Sequence, residues 1–170
     1  TGENLIEFSR SSGGTYIDSN GFIKNAVVNI LPNSADLNAN TWNVSNSTVT
    51  SNFAIAPDGT QTASRIVINS GSSTWIVNTN VSITSGKTYT YSFYLKTNGD
   101  SNQVRMYYQQ IGGSGDGIDI TPPNEWTIYS ISFTATGNST QIGINNTLEA
   151  IDALIWGLQL EEGYTPTDQE

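Results

Sequence analysis

"TYTYSFYLK", residues 88–96, decides how this chain is read. Tyr89, Tyr91, Phe93 and Leu95 fall on one side of an extended backbone. Thr88, Thr90, Ser92, Tyr94 and Lys96 fall on the other. Successive side chains alternate across a strand, so this pattern predicts one buried face and one wet face. A helix would scatter the four apolar residues around its circumference. The run therefore reads as one strand of an antiparallel sheet.

Three more runs repeat the pattern. In "QVRMYYQQ" (103–110), Val104, Met106 and Tyr108 point one way, and Gln103, Arg105, Tyr107 and Gln109 the other. In "WTIYSISFTA" (126–135), Tyr129, Ile131 and Phe133 form the apolar set against Ser130, Ser132 and Thr134. Near the end, Leu154, Trp156, Leu158 and Leu160 alternate with Ile155, Gly157, Gln159 and Glu161, which predicts that Trp156 packs in the core. No stretch carries a helical period. Short runs rich in Val, Ile, Thr and Tyr are punctuated by Gly, Asn, Asp and Pro, as in an all-β sandwich or barrel. One-sided burial in each run favours two packed antiparallel sheets. "TYIDSNGFIK" (15–24) reads as strand, turn and strand. The expected division is an N-terminal arm or hairpin over 1–27 and a sandwich over 28–170.

Composition narrows the function. A chain of 170 residues suits one domain with a real core. No apolar run approaches the roughly 20 residues a bilayer demands, so membrane insertion is not expected. The opening "TGENLIEF" has no leader pattern and reads as a fragment of a longer protein. Six Lys and Arg in a chain of net charge −9 argue against nucleic acid and anionic membranes, both of which need clustered cations. The surface is left to Ser, Thr, Asn, Gln and Gly, a neutral hydrogen-bonding set that suits polyols such as sugars and equally suits any secreted β-protein. Cysteine is absent, so no disulfide contributes. Histidine is absent too, which removes the commonest general base and the Ser-His and Cys-His nucleophiles.

The motifs "NILPNSADL" (29–37), "APDGTQTASRI" (56–66), "SGKTYTYSFYLK" (85–96), "EWTIYSISFTA" (125–135) and "LIWGLQLEEG" (154–163) come in a recognisable order. Together they resemble the β-jelly-roll modules of bacteriophage virion and tail proteins. Those modules are related to the carbohydrate-binding modules appended to xylanases and β-glucanases. "FSRSSGGTYIDSNGFIK" (8–24) is similar to a leader that precedes such modules. The resemblance covers nearly the whole chain and is more specific for fold than for ligand. It implies a jelly-roll sandwich and a non-catalytic glycan-binding role in a virion or outside the cell. Its implied partners are a polysaccharide or cell-surface glycan and, within a particle, further copies or other virion proteins. It also leaves open a spacer that binds nothing, and an accessory module that delivers a glycoside hydrolase.

Modules of this kind bind glycans across a concave sheet face with stacking aromatics and hydroxyl-bonding amides or arginine. Carried onto this chain, the candidates are Trp75, Asn78, Tyr94, Arg105, Tyr107 and Gln109. Tyr94 and the Arg105–Gln109 set lie on the polar sides of two strands expected to be near neighbours. Trp75 follows a Gly-Ser-Ser turn and is poorly placed for deep burial. Trp126 is expected to seat a loop, and Trp42 to close one end of the core. The family's structural calcium is held partly by an acid after the first strand and an aspartate in the closing strand. Leu37 and Trp156-Gly157 stand there instead, so no cofactor is expected, with Asp36, Asp58 or Glu161 left as acids for a shifted site. "GGSGDGIDI" (112–120) nearly fits a glycine-rich calcium repeat, but Asp116 falls one place early, and a flexible loop is expected. Asp116, Asp119 and Glu125 are the acids a glycosidase would need, yet nothing in the pattern buries one to raise its pKa.

Overall fold

A computed structural model of the chain describes residues 15–17, 23–25, 28–99, 102–110, 113–146 and 149–163. β1 (Thr15–Ile17) pairs antiparallel with β2 (Ile23–Asn25). The intervening turn and the rest of the expected arm lie outside the described residues.

The sandwich comprises β3 (Trp42–Ser45), β4 (Ser47–Ala54), β5 (Ala63–Ile68), β6 (Trp75–Ser82), β7 (Thr88–Thr97), β8 (Val104–Gln110), β9 (Asp116–Ile120), β10 (Thr127–Thr134), β11 (Ser139–Asn146) and β12 (Ile151–Glu162). One five-stranded sheet runs β10-β7-β12-β5-β4, the other β3-β6-β11-β8-β9, and every pairing is antiparallel. Among the described residues there is no helix.

The alternation of "TYTYSFYLK" is realised: Tyr89, Tyr91, Phe93 and Leu95 are at most 3 % exposed. They meet Ile76, Val104, Met106, Ile142 and Ile144 of the facing sheet in one continuous core. Non-directional burial of these branched and aromatic chains supplies most of the favourable free energy, about 25 cal/mol per Å² of apolar surface removed from water. Trp42 closes one end of that core, 6 % exposed, with its indole Nε1–H donated to the carbonyl of Asn33. Trp126 donates its Nε1–H to the carbonyl of Ile55, tying the loop before β10 to the far edge of the same sheet.

The closing strand departs from its expected phase. A bulge separates Trp156 from Gln159, and Gly157 sits at φ 65°, the left-handed region that glycine enters without a Cβ clash. The extra residue moves the inward set from odd to even positions: Ile151, Ala153 and Ile155 before it, Leu158 and Leu160 after. The side chain of Asn29 secures the bulge, donating to the Leu158 carbonyl and accepting the Leu160 N–H. Trp156 is consequently not a core residue. It lies outward beside Tyr94, ring centroids 5.5 Å apart, and donates its Nε1–H to Thr62 Oγ1 at 3.0 Å.

A second expectation fails at 116–120. Asp116–Ile120 is not loop but edge strand, with Asp119 opposite Arg105 and Gly117 opposite Tyr107.

Candidate functional site

Cross-strand register arranges the outward face of the β3-β6-β11-β8-β9 sheet in rows. Trp75, Asn145, Arg105 and Asp119 make one row across β6, β11, β8 and β9. Asn43, Val77, Gly143, Tyr107 and Gly117 make the next, starting from β3. Gln141 and Gln109 pair in a third, with Thr79 alongside. Strand alternation forces this set outward because Ile76, Met106, Ile142 and Ile144 of the same strands point into the core.

Between the rows is a groove of about 320 Å³ bounded by Asn43, Trp75, Val77, Thr79, Tyr107, Gln109, Gln141 and Asn145. Gly143 lies between Val77 and Tyr107 in the second row. A Cβ added there would lie 2.2 Å from the Ile76 carbonyl oxygen and 2.6 Å from Val77 Cα, so only glycine lets β11 approach β6 this closely. Gly115 does the same for the wall: a Cβ there would lie 2.4 Å from the Tyr107 ring, so the loop before β9 rests against the phenol.

The polar groups are held in place. Trp75 donates its Nε1–H to Asn43 Oδ1 at 3.1 Å. Tyr107 donates its hydroxyl to Gln109 Oε1 at 2.8 Å, and Gln109 Nε2 donates to the Gly113 carbonyl. Burial pushes the Tyr107 phenol up from its ordinary pKa, so it stays a neutral donor. Asn145 is half-buried, and its Oδ1 has no hydrogen-bond partner. At the rim, Arg105 grips Asp119 with two bonds, Nε to Oδ1 at 2.6 Å and Nη2 to Oδ2 at 3.0 Å. Hydrogen bonding from the guanidinium holds the Asp119 carboxyl below the usual carboxylate range.

Of the six candidates, the structure brings Trp75, Tyr107 and Gln109 together on the groove and sets Arg105 on its rim. Two placements need correction. Asn78 points inward, 1 % exposed, and donates its amide to the Pro32 carbonyl at 2.8 Å. Trp75 and Asn78 differ in parity along one strand, so they cannot share a face. Tyr94 belongs to the opposite sheet, because β7 pairs with β10 and β12 and is no neighbour of β8. The sequence reading missed Asn43, Val77, Thr79, Gln141 and Asn145. "STQIGINN" (139–146) held the signal for two of them: Ile142 and Ile144 inward implies Gln141, Gly143 and Asn145 outward.

The acids are committed elsewhere. Asp116 Oδ2 accepts the Tyr108 hydroxyl. Asp36 and Asp58 close turns by accepting the backbone N–H of Asn38 and Thr60. Among the described residues no three acidic side chains converge as metal ligands. The positions that the family resemblance assigns to calcium hold Leu37, 2 % exposed, and Trp156-Gly157. Neither brings a carboxylate, so the donors there do not fit the ion.

No family model matches the sequence, and no curated protein does. Solved structures do match. The CBM22-1 xylan-binding domain of Paenibacillus barcinonensis Xyn10C superposes with TM-score 0.55 at 11 % identity, covering 91 % of this chain and 97 % of that one. The fold is a jelly-roll β-sandwich similar to that of this module. The CBM22-1–GH10 portion of Clostridium thermocellum xylanase 10B, complexed with xylohexaose, gives TM-score 0.54 at 14 % identity over 85 % of this chain and 29 % of that one. The enzymatically active domain of tailspike protein 4 from bacteriophage CBA120 gives 0.56 at 13 % over 79 % and 21 %. The jelly roll here thus spans about a fifth to under a third of these last two chains.

Proposed function

We propose that this chain is a non-catalytic carbohydrate-binding module that holds a neutral saccharide in the Trp75–Tyr107 groove, and that it serves in a virion or tail protein of a bacteriophage, outside the cell. One observation carries the reading: two aromatic side chains, Trp75 and Tyr107, and four neutral amides, Asn43, Gln109, Gln141 and Asn145, bound a single groove. An indole and a phenol offer apolar faces to the C–H surface of a sugar ring, and fixed amides meet its hydroxyls. Asn145 lines the groove and has a carbonyl oxygen without a hydrogen-bond partner.

Charge and chemistry support the same reading. The bidentate pair neutralises Arg105 and Asp119 against each other, and the chain's net −9 repels anionic ligands. A carboxyl held ionised by an arginine is unsuited to general-acid work, which needs a raised pKa. The fold shared with carbohydrate-binding modules supports glycan binding in general, and the tailspike match supports the phage setting. A shallow groove gives weak single-site affinity, and repetition on an oligomeric particle supplies avidity.

Affinity electrophoresis through xylan, β-glucan and other neutral polysaccharides tests this, with calorimetry on xylohexaose and cellohexaose. The protein is expected to be retarded by at least one polymer. Trp75→Ala and Tyr107→Ala should each weaken binding by about tenfold or more, the equivalent of one hot-spot contact. If the intact protein and the double variant migrate identically in every gel, the domain is a spacer.

A further inference from the structure

A second pocket, of about 360 Å³, shares no residue with the groove. It opens where the 33–38 loop meets two adjacent irregularities. One is the β12 bulge at Gly157; the other is a register break in β4, where Asn52 adopts φ 54°. Each irregularity leaves strand groups splayed instead of laddered, and the space between them is the pocket. Its volume falls in the range of about 300–1,000 Å³ typical of small-molecule sites.

The lining has the same chemistry as the groove, reached independently. Trp156 forms one side, its orientation fixed by the bond to Thr62 Oγ1 and by the Tyr94 ring. Ser34, Asn52, Thr62 and Ser64 contribute hydroxyls and an amide, and no lining residue is charged. The floor is apolar, from Leu37, Ile155 and Leu158. A phosphate or carboxylate would find no cation here, and the acidic chain would repel it. Ser34 and Thr62 already bond Asn29 and Trp156, but a purely apolar molecule would meet the Asn52 amide and the Ser64 hydroxyl with nothing to offer them. A sugar ring answers both halves, with a C–H face for the indole and hydroxyls for the rim.

We propose that the pocket at Trp156, Asn52, Thr62 and Ser64 is a second saccharide site, taking one neutral pyranose. It goes beyond the groove reading and does not depend on it, since the two sites share no side chain. Occupied together, they would let one domain grip a polymer, or two polymers, at two points.

The four indole N–H groups each have a defined acceptor, so their NMR signals report four separate places: Trp42 at Asn33, Trp75 at Asn43, Trp126 at Ile55 and Trp156 at Thr62. The experiment titrates 15N-labelled protein with the methyl glycosides of glucose, galactose, xylose and N-acetylglucosamine, then with xylohexaose and cellohexaose. The Trp156 signal is expected to move saturably with at least one probe, in the intact protein and equally in Trp75→Ala. Ala35→Trp, a change at an exposed rim position, should weaken that response by about tenfold or more. A Trp156 signal that stays still with every probe overturns the site. So does one that moves equally in Ala35→Trp, or one that stops moving in Trp75→Ala. If Trp75 alone responds, the second site falls and the groove stands; if Trp156 alone responds, the groove reading falls and the second site stands.

Discussion

The two outward faces of the sandwich start from the same period-two alternation and end unlike. On the β3-β6-β11-β8-β9 sheet, glycines at 143 and 117 flank Tyr107 in one row, so the middle of the face is low and its aromatics stand as walls. On the β10-β7-β12-β5-β4 sheet, Ile128, Tyr94 and Trp156 line up as a continuous apolar row. There the space lies at the strand irregularities. The contrast teaches that alternation decides which side chains face out, whereas residue size and bulges decide whether a facing surface becomes a container.

The sharpest way to break the comparison is to fill the glycine position between Val77 and Tyr107 on the first face. Gly143→Ala puts a methyl against the Ile76 carbonyl and Val77 Cα, where nothing flexible can yield. Overpacking of this kind costs about 1–3 kcal/mol, read as a lower urea midpoint. Because β6 and β11 must part, saccharide retention through Trp75 and Tyr107 should fall as well, while the Trp156 signal keeps its response. Unchanged stability with full retention would show that Gly143 does not set the approach of β11 to β6.

How much of this was legible beforehand depended on parity. Tyr89 to Leu95 could be assigned to the core because four alternate residues agree, and Tyr107 and Gln109 were set outward by the same rule, whereas Trp75 was singled out by the Gly-Ser-Ser turn before it. Parity fails wherever one residue is inserted. Gly157 is such an insertion, and it turned Trp156 from an expected core plug into a pocket wall. Nothing in "IWGLQL" marks that glycine as left-handed, since the bulge is held by the distant Asn29 side chain through the Leu158 carbonyl and the Leu160 N–H. Sheet membership was equally hidden: β7 and β8 adjoin in sequence, and only long-range pairing puts Tyr94 and Tyr107 on opposite sides. Residue type misled for Asn78, whose amide looks like ligand chemistry but serves the Pro32 carbonyl.

That last assignment yields the next test. Asn78→Ala removes the donor to the Pro32 carbonyl and leaves a small void where the buried side chain sits. Losing a hydrogen bond of this kind costs about 0.5–1.5 kcal/mol, so the urea midpoint should drop. Saccharide binding by the folded fraction should be unchanged, because the side chain does not reach the groove. Lost binding at full stability would return Asn78 to the site.

The smallest effect separates the faces electrostatically. Each carries one arginine–carboxylate fork: Arg105 with Asp119 on the groove sheet, Arg65 with Asp152 on the other. Hydrogen bonding from the arginine holds both carboxyls below their ordinary pKa, and Asp152 gains a further bond from Asn98 Nδ2 at 3.0 Å. A depressed folded pKa means that the stabilisation is complete at neutral pH. It starts to fade as the pH falls below the unfolded value of about 3.9, and it is gone once the pH has passed below the folded value. Stability against urea should therefore slope downward below about pH 4, less steeply in Asp119→Asn and Asp152→Asn. Asp119 is the more exposed of the two, 35 % against 26 %, and solvent screens its pair more, so its variant should lose under about 1 kcal/mol at pH 7. The second fork has three donors' bonds converging on one carboxylate, and removing Asp152 should flatten the acid slope more than removing Asp119. The reverse order would place the stronger electrostatic tie beside the groove, and Arg105 would then belong to the container itself and not to its rim.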